Sequence, residues 1–138
     1  MEGNKFIFIQ QISMVGVMLI LFISEKWKNS LKGIHKDLVK TGAGGQFGNK
    51  GGVTIRVNIF QSSLCFVSSH LAAGESKVKE RVEDFMMIHS KAFQQNKESV
   101  KNEYEIEFSD YRFFFGDLNF RIDGNFSSIY DVVTKELN

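Results

Sequence analysis

From Val53 to Ser69 the chain reads as two strands joined by a tight turn, and this limits what it can fold into. Val53, Ile55, Val57 and Ile59 alternate with Thr54, Arg56 and Asn58 up to Phe60, the period of a half-buried strand. Gln61, Ser62 and Ser63 are turn formers, and Leu64–Ser69 returns as the hairpin partner. The apolar face of such a hairpin has to be covered by a further layer. Glu75 to Gln95 can supply one. Its Val78, Val82, Phe85, Met86, His89 and Phe93 fall at offsets 0, 4, 7, 8, 11 and 15, a single stripe at helical period. On that reading His89 is a packed core residue.

The remaining segments fill out the same plan. Ile12–Ile23 is almost wholly apolar and rich in Val, Ile and Phe, as expected of a strand buried on both faces. At twelve residues a helix there would span only about 18 Å, too short for a bilayer core of about 30 Å. The Ser24-Glu25-Lys26 that follows offers no signal-peptide cleavage pattern. Glu25–Leu31, with Trp27, reads as a short helix or irregular turn, and His35–Thr41 as a short strand. Gly42–Gly52, with six glycines in eleven residues, reads as a loop. Asn96–Asp110 reads as a solvated connection, acidic at Glu103, Glu105 and Glu107. Tyr111–Phe115 is expected as a central aromatic strand, and a last helix is expected near Ser127. Strands, helix, strand, helix, with hairpins in place of regular alternation, favour an α+β layered sandwich over a doubly wound sheet.

Composition excludes more than it selects. With 138 residues and a formal net charge of +1, the chain is about one domain and has no bulk charge to draw it to nucleic acid. A lone cysteine, Cys65, cannot form an internal disulfide, and in a strand it reads as a small hydrophobe. The 14 phenylalanines suit buried strands.

Chemistry-bearing groups concentrate at three places where strands run into loops. The first is Gly44-Gly45-Gln46-Phe47-Gly48-Asn49-Lys50-Gly51-Gly52. Glycines there admit a ligand to the backbone, and Lys50 brings a point charge suited to phosphate. The spacing matches neither a P-loop nor a dinucleotide fingerprint, so a flexible turn and a phosphate loop are both open. The second is Ser69-His70-Leu71-Ala72-Ala73-Gly74, where His70 leaves a strand and can donate to a phosphoryl oxygen or hydrogen-bond locally. The third is Gly116-Asp117-Leu118-Asn119-Phe120-Arg121. Asp117 and Asn119 can share one side of the strand end, the carboxylate orienting water or binding Mg²⁺, and Arg121 can fork onto phosphate. A plain Asp-Asn turn is the alternative.

Taken together, Thr41-Gly42, Gly48-Asn49-Lys50-Gly51-Gly52-Val53, Ser69-His70-Leu71-Ala72-Ala73-Gly74, Glu80-Arg81 with Asp84-Phe85, and Gly116-Asp117-Leu118-Asn119-Phe120-Arg121-Ile122-Asp123 occur in an order that resembles the inositol polyphosphate 5-phosphatase family. Val39-Lys40-Thr41-Gly42 and the run from Ala73-Gly74 to Val78-Lys79-Glu80-Arg81 resemble its synaptojanin-type members. The resemblance runs from about Ser13 to Asp131. It implies a DNase I-like β-sandwich flanked by helices, Mg²⁺ dependence, and removal of the 5-phosphate from phosphoinositides or soluble inositol phosphates. It further implies that Asp117 activates or orients the attacking water and that Asn119 positions water and phosphate. His70 would contact the scissile phosphate, and Asn49, Lys50 and Arg121 would line the substrate's phosphates. Glu80 and Arg81 are expected as a structural anchor.

Family members also carry an upstream strand with an asparagine and a metal-binding glutamate, a downstream Trp-Cys-Asp-Arg segment and a terminal Asp-His pair. None of these is in the chain, and Gly74 stands where some members have a second histidine. Residues 1–138 are thus expected to be the central part of one catalytic domain, incomplete for activity and poorly soluble alone. Two other readings stay open: a fragment that binds inositol phosphates without turnover, and another DNase I-like phosphodiesterase such as a nuclease or sphingomyelinase. The expected location is cytoplasmic, peripheral to membranes, with transient membrane contact and no nucleic-acid partner.

Overall fold

The computed structural model describes residues 5–94 and 105–136. Strand β1 (Phe6–Met14) turns back into β2 (Val17–Ser24), with Met14 opposite Val17 across a two-residue turn. Gly16 makes that turn possible at φ +75°, a conformation costly for residues with a Cβ. The apolar run Ile12–Ile23 is therefore not one strand buried on both faces. It is the end of one strand, a turn and the start of the next. Val17 and Leu19 are buried, whereas Met18, Ile20 and Phe22 on the other face are exposed.

A 3₁₀ segment (Glu25–Ser30) follows, with Trp27 set edge-on against Phe60 at 5.1 Å. The main sheet is built from β3 (Leu31–Thr41), β4 (Phe47–Ile59), β5 (Ser62–His70) and β6 (Tyr111–Asp117), in that spatial order. The first two pairings are antiparallel and β5–β6 is parallel. Helix α2 (Val78–Lys91) makes the crossover that a parallel pair requires. The chain closes with α3 (Phe126–Glu136). The expected connection at 96–110 lies largely outside the described residues; its end forms a 3₁₀ turn at Ile106–Phe108.

The glycine stretch is only partly a loop. Gly42–Gly45 forms a single irregular helical turn, α1, but β4 already begins at Phe47. Gly51, at φ +144°, is paired on both sides, and a Cβ there would overlap the Val39 carbonyl oxygen. Gly52 lets α2 descend onto the sheet, since a Cβ on it would lie 2.9 Å from Ile88 Cγ2. These two glycines serve close packing within a sheet.

Strand β4 is buried on both faces from Gly51 to Val57, where its alternation suggested one. The β1–β2 hairpin covers Val53, Ile55 and Val57, joined by Val17 and Leu19. The polar face is covered too. Thr54 and Arg56 are buried, and Arg56 Nε donates to Ser109 Oγ at 3.2 Å while Nη1 donates to Asn58 Oδ1 at 3.2 Å. A second core lies between sheet and helix, with Val39, Cys65, Val67, Leu71, Ile88, Ala92, Phe93 and Ile106.

Two further expectations are corrected. Strand β6 pairs in register with β5 from Leu64↔Tyr111 to His70↔Asp117, but among the described residues it is the sheet's edge, not its centre. Helix α2 is also rotated from its apolar stripe. Arg81 and Ile88 are its buried residues, while Val78, Val82 and Met86 are exposed and His89 is half-buried, its ring 5.8 Å from that of Phe85. Arg81 is drawn inward by donating to the Gly74 carbonyl of the preceding loop, and Asp84 by accepting from its Ala72 N–H. Phe93, beyond the helix end, is left-handed (φ +65°), its N–H held by Asp37 Oδ2 at 2.5 Å.

Candidate active site

Sheet register brings three of the expected side chains to one end of the sheet. Gly51 stands opposite His70, and His70 opposite Asp117. Lys50 thus enters from the start of β4, and His70 and Asp117 leave from the ends of β5 and β6. Lys50 Nζ is hydrogen-bonded to His70 Nε2, and the same nitrogen lies 3.4 Å from Asp117 Oδ2. A single imidazole nitrogen can accept from the lysine or donate to the carboxylate, but cannot do both. The trio is therefore poised between two hydrogen-bond arrangements around one atom.

Asn119 joins them through the backbone. It sits in the left-handed region (φ +55°), and its Nδ2 donates to the Leu71 carbonyl at 3.1 Å. The Leu71 N–H in turn donates to the Asp117 carbonyl at 3.0 Å. The loop after His70 and the loop after Asp117 are thus stitched directly together. Gly116, at φ +122°, allows β6 to lie against Ser69, whose carbonyl oxygen a Cβ would overlap.

Asn49 stands apart from the trio, against the α1 turn: a Cβ on Gly42 would come 2.6 Å from its Oδ1. Arg121 is exposed, and among the described residues no hydrogen bond or ion pair ties it to the others. A cleft of about 500 Å³ runs from Lys50 between Thr41–Gly44 on one side and Ala72, Ala73 and the first turns of α2 on the other. Thr41 Oγ1 beside it is buried and has no partner among the described residues.

The Glu80–Arg81 expectation divides. Glu80 is on the surface, its carboxylate held below the usual range chiefly by the hydrogen bond from Lys77. Arg81 is the anchor: it is 1% exposed and donates from Nη1 to the Gly74 carbonyl at 2.6 Å and the Ala72 carbonyl at 3.3 Å. Asp84 Oδ2 adds a bond from the Ala72 N–H at 2.9 Å. Sequence reasoning missed the tip of the β1–β2 hairpin. Gly16 is so close to the imidazole that a Cβ on it would be 3.6 Å from His70 Nδ1. The signal was Val15-Gly16, a turn hidden inside an apolar run.

A mixed sheet is faced by a hairpin and by a helix, with Lys50, His70, Asp117 and Asn119 gathered at its end. The endonuclease/exonuclease/phosphatase family 2 profile matches residues 1–137, and the chain belongs to that family. Within it, the chain is similar to synaptojanin-1 of Homo sapiens, 43% identical over 123 residues, which is 88% of this chain and 7% of that protein. It is 33% identical over 134 residues to inositol-1,4,5-trisphosphate 5-phosphatase 1 of Schizosaccharomyces pombe, covering 97% of this chain and 12% of that one. Among solved structures it resembles the inositol polyphosphate 5-phosphatase domain of SPsynaptojanin in complex with inositol (1,4)-bisphosphate and calcium ion. There the TM-score is 0.77 with 30% identity, over 97% of this chain and 37% of that one. The DNase I-like fold and the 5-phosphatase resemblance read from the motifs are borne out, and the chain spans well under half the length of these relatives.

Proposed function

We propose that this chain carries the phosphate-facing part of an inositol polyphosphate 5-phosphatase site, which hydrolyses the 5-phosphate of phosphoinositides or inositol polyphosphates by in-line attack of water. The observation that carries this reading is the meeting of Lys50, His70 and Asp117 around His70 Nε2. The relatives' names support it.

The roles follow from donor and acceptor chemistry. An entering phosphoryl oxygen accepts from Lys50 and from His70 when its Nε2 carries a hydrogen, so it replaces the contact these two make with each other. Asp117, an acceptor, is then free to orient a water and take its proton. Asn119 spends Nδ2 on Leu71 and keeps Oδ1 for that water. Asn49 and the exposed Arg121 line the substrate's other phosphates, and the cleft beside Lys50 accommodates the inositol ring. Phosphoryl transfer asks chiefly for positioned water and spread positive charge.

Mg²⁺ belongs to the proposal, since the matched structure contains calcium. Among the described residues no three His, Cys, Asp or Glu side chains form a metal cluster. Asp117, the one carboxylate of the trio, shares His70 with an ammonium group. These residues do not make a metal site by themselves. The same observation favours a second reading, a chain that binds inositol phosphates without turnover. Within the proposal, residues 1–138 act as the central part of a catalytic domain, cytoplasmic and in transient contact with a membrane. Among the described residues no helix is long and apolar enough to cross one.

The test is phosphate release from phosphatidylinositol 4,5-bisphosphate, with Mg²⁺ added or chelated. Replacing Asp117 by Ala is expected to lower kcat by about 10²- to 10⁴-fold, the range for loss of a positioned general base. Binding that persists without turnover, and is lost in Lys50→Ala, selects the second reading. Nicking of plasmid DNA with no phosphate release would replace both with a nuclease.

A further inference from the structure

We infer that Arg81 is a positioning residue, which clasps the loop carrying His70 to the loop carrying Asp117 and Asn119 and so sets the geometry of the site. The inference rests on the 5-phosphatase reading above. Arg81 is almost completely buried, yet among the described residues no carboxylate lies within ion-pair distance of it. A buried charge without an acidic partner is a costly way to hold a helix against a sheet, and an apolar side chain would do that at less desolvation cost. Arg81 Nε is also buried with no partner. The arrangement is not one that serves stability alone.

The guanidinium group makes two kinds of contact. Its edge gathers three successive parts of the loop that starts one residue after His70, through the carbonyls of Ala72 (3.3 Å), Gly74 (2.6 Å) and Glu75 (3.5 Å). Its Cζ lies over the ring of Phe120, 5.2 Å from the centroid, within the range of a cation–π contact. Phe120 immediately follows Asn119. In front of the clasp run the two bonds that join the loops directly, Leu71 N–H to Asp117 and Asn119 Nδ2 to Leu71. A fixed fork of several donors on one delocalised cation is a property of arginine that lysine lacks.

The test compares the full chain with Phe120→Leu and Arg81→Lys. Phe120 is 55% exposed, so Phe120→Leu retains the fold even where Arg81→Lys does not. Three quantities are read: kcat and KM for phosphate release from inositol 1,4,5-trisphosphate, the Tm, and the side-chain amide signal of Asn119 in ¹⁵N–¹H spectra. A lost clasp is expected to lower kcat about 10- to 100-fold, as small misplacements of reacting groups do. KM and the Tm of Phe120→Leu stay close to those of the unaltered chain, and the Asn119 signal moves. An unchanged kcat with an unchanged Asn119 signal overturns the inference. So does a kcat loss fully accounted for by the unfolded fraction. If the unaltered chain shows no turnover, the reading without turnover is selected, and the Asn119 signal alone decides the clasp: moved in both Phe120→Leu and Arg81→Lys supports it, unmoved in either rejects it.

Discussion

Asp110 shows how one side chain ties distant parts of this chain together. Its carboxylate accepts from the Ser63 N–H at 2.7 Å and the Ser63 hydroxyl at 2.8 Å, and its own N–H donates back to Ser63 Oγ. This reciprocal pair fixes the start of β5 to the start of β6. Those bonds from Ser63 hold the carboxyl below its ordinary value of 3.8. A depressed acid binds fewer protons folded than unfolded. The stability it contributes is complete above about pH 4 to 5 and is lost as pH falls through the folded-state value. Urea midpoints measured from pH 2 to 6 should therefore fall less steeply on the acid side for Asp110→Asn. An identical slope would deny the linkage. Cys65 gives a second residue-scale expectation. Burial pushes its thiol up to about 11, against a smaller opposing hydrogen bond with Ser109. It should resist iodoacetamide at pH 8 until the chain unfolds, and rapid labelling of the folded chain would contradict its place in the core. At this scale Lys50, His70, Asp117 and Asn119 stood out only when the three loops were taken together, since each alone also fits a turn or a local hydrogen bond; register brings Lys50, His70 and Asp117 to one end of the sheet. The sequence was uninformative for the buried Arg81, which resembles any charged residue on a helix until the carbonyls around it are seen.

Elements were legible where period and turn chemistry agreed, and misread where one overrode the other. The β4–β5 hairpin, the 3₁₀ segment with Trp27 and the last helix lie where their residues indicated. The β1–β2 hairpin was hidden because apolar residues continue on both of its faces, leaving Gly16 as the sole signal. The buried face of α2 was hidden because hydrogen bonds to Arg81 and Asp84, not the apolar stripe, set its rotation. The glycine stretch was misassigned because Gly51 and Gly52 serve strand packing and not flexibility. That last point is testable. Gly52→Ala places a methyl 2.9 Å from Ile88 Cγ2, and overpacking of this kind typically costs about 1–3 kcal/mol. Ile88→Ala in the same chain, which removes all three contacting carbons, should return part of the loss, although alone it should cost about 2–5 kcal/mol. Additive losses in the double variant would show that α2 does not rest on Gly52.

Across the whole molecule, two apolar layers on either side of β4 hold the strands in register, and register alone carries Lys50, His70 and Asp117 to a common point. The function proposed here depends on that convergence more than on any single motif. The α+β class was readable from the order of strands and helices, and the DNase I-like fold from the resemblance to the 5-phosphatase family. The edge position of β6 was not, since an aromatic strand reads the same at an edge as at a centre. The central claim, that this end of the sheet receives the phosphates of an inositol phosphate, is tested most directly by titrating the ¹⁵N-labelled chain with inositol 1,4-bisphosphate. The account predicts shifts concentrated at Asn49–Gly52, His70–Ala72 and Gly116–Asn119, abolished in Lys50→Ala. No shifts in a folded chain, or shifts centred elsewhere and unaffected by Lys50→Ala, would contradict it.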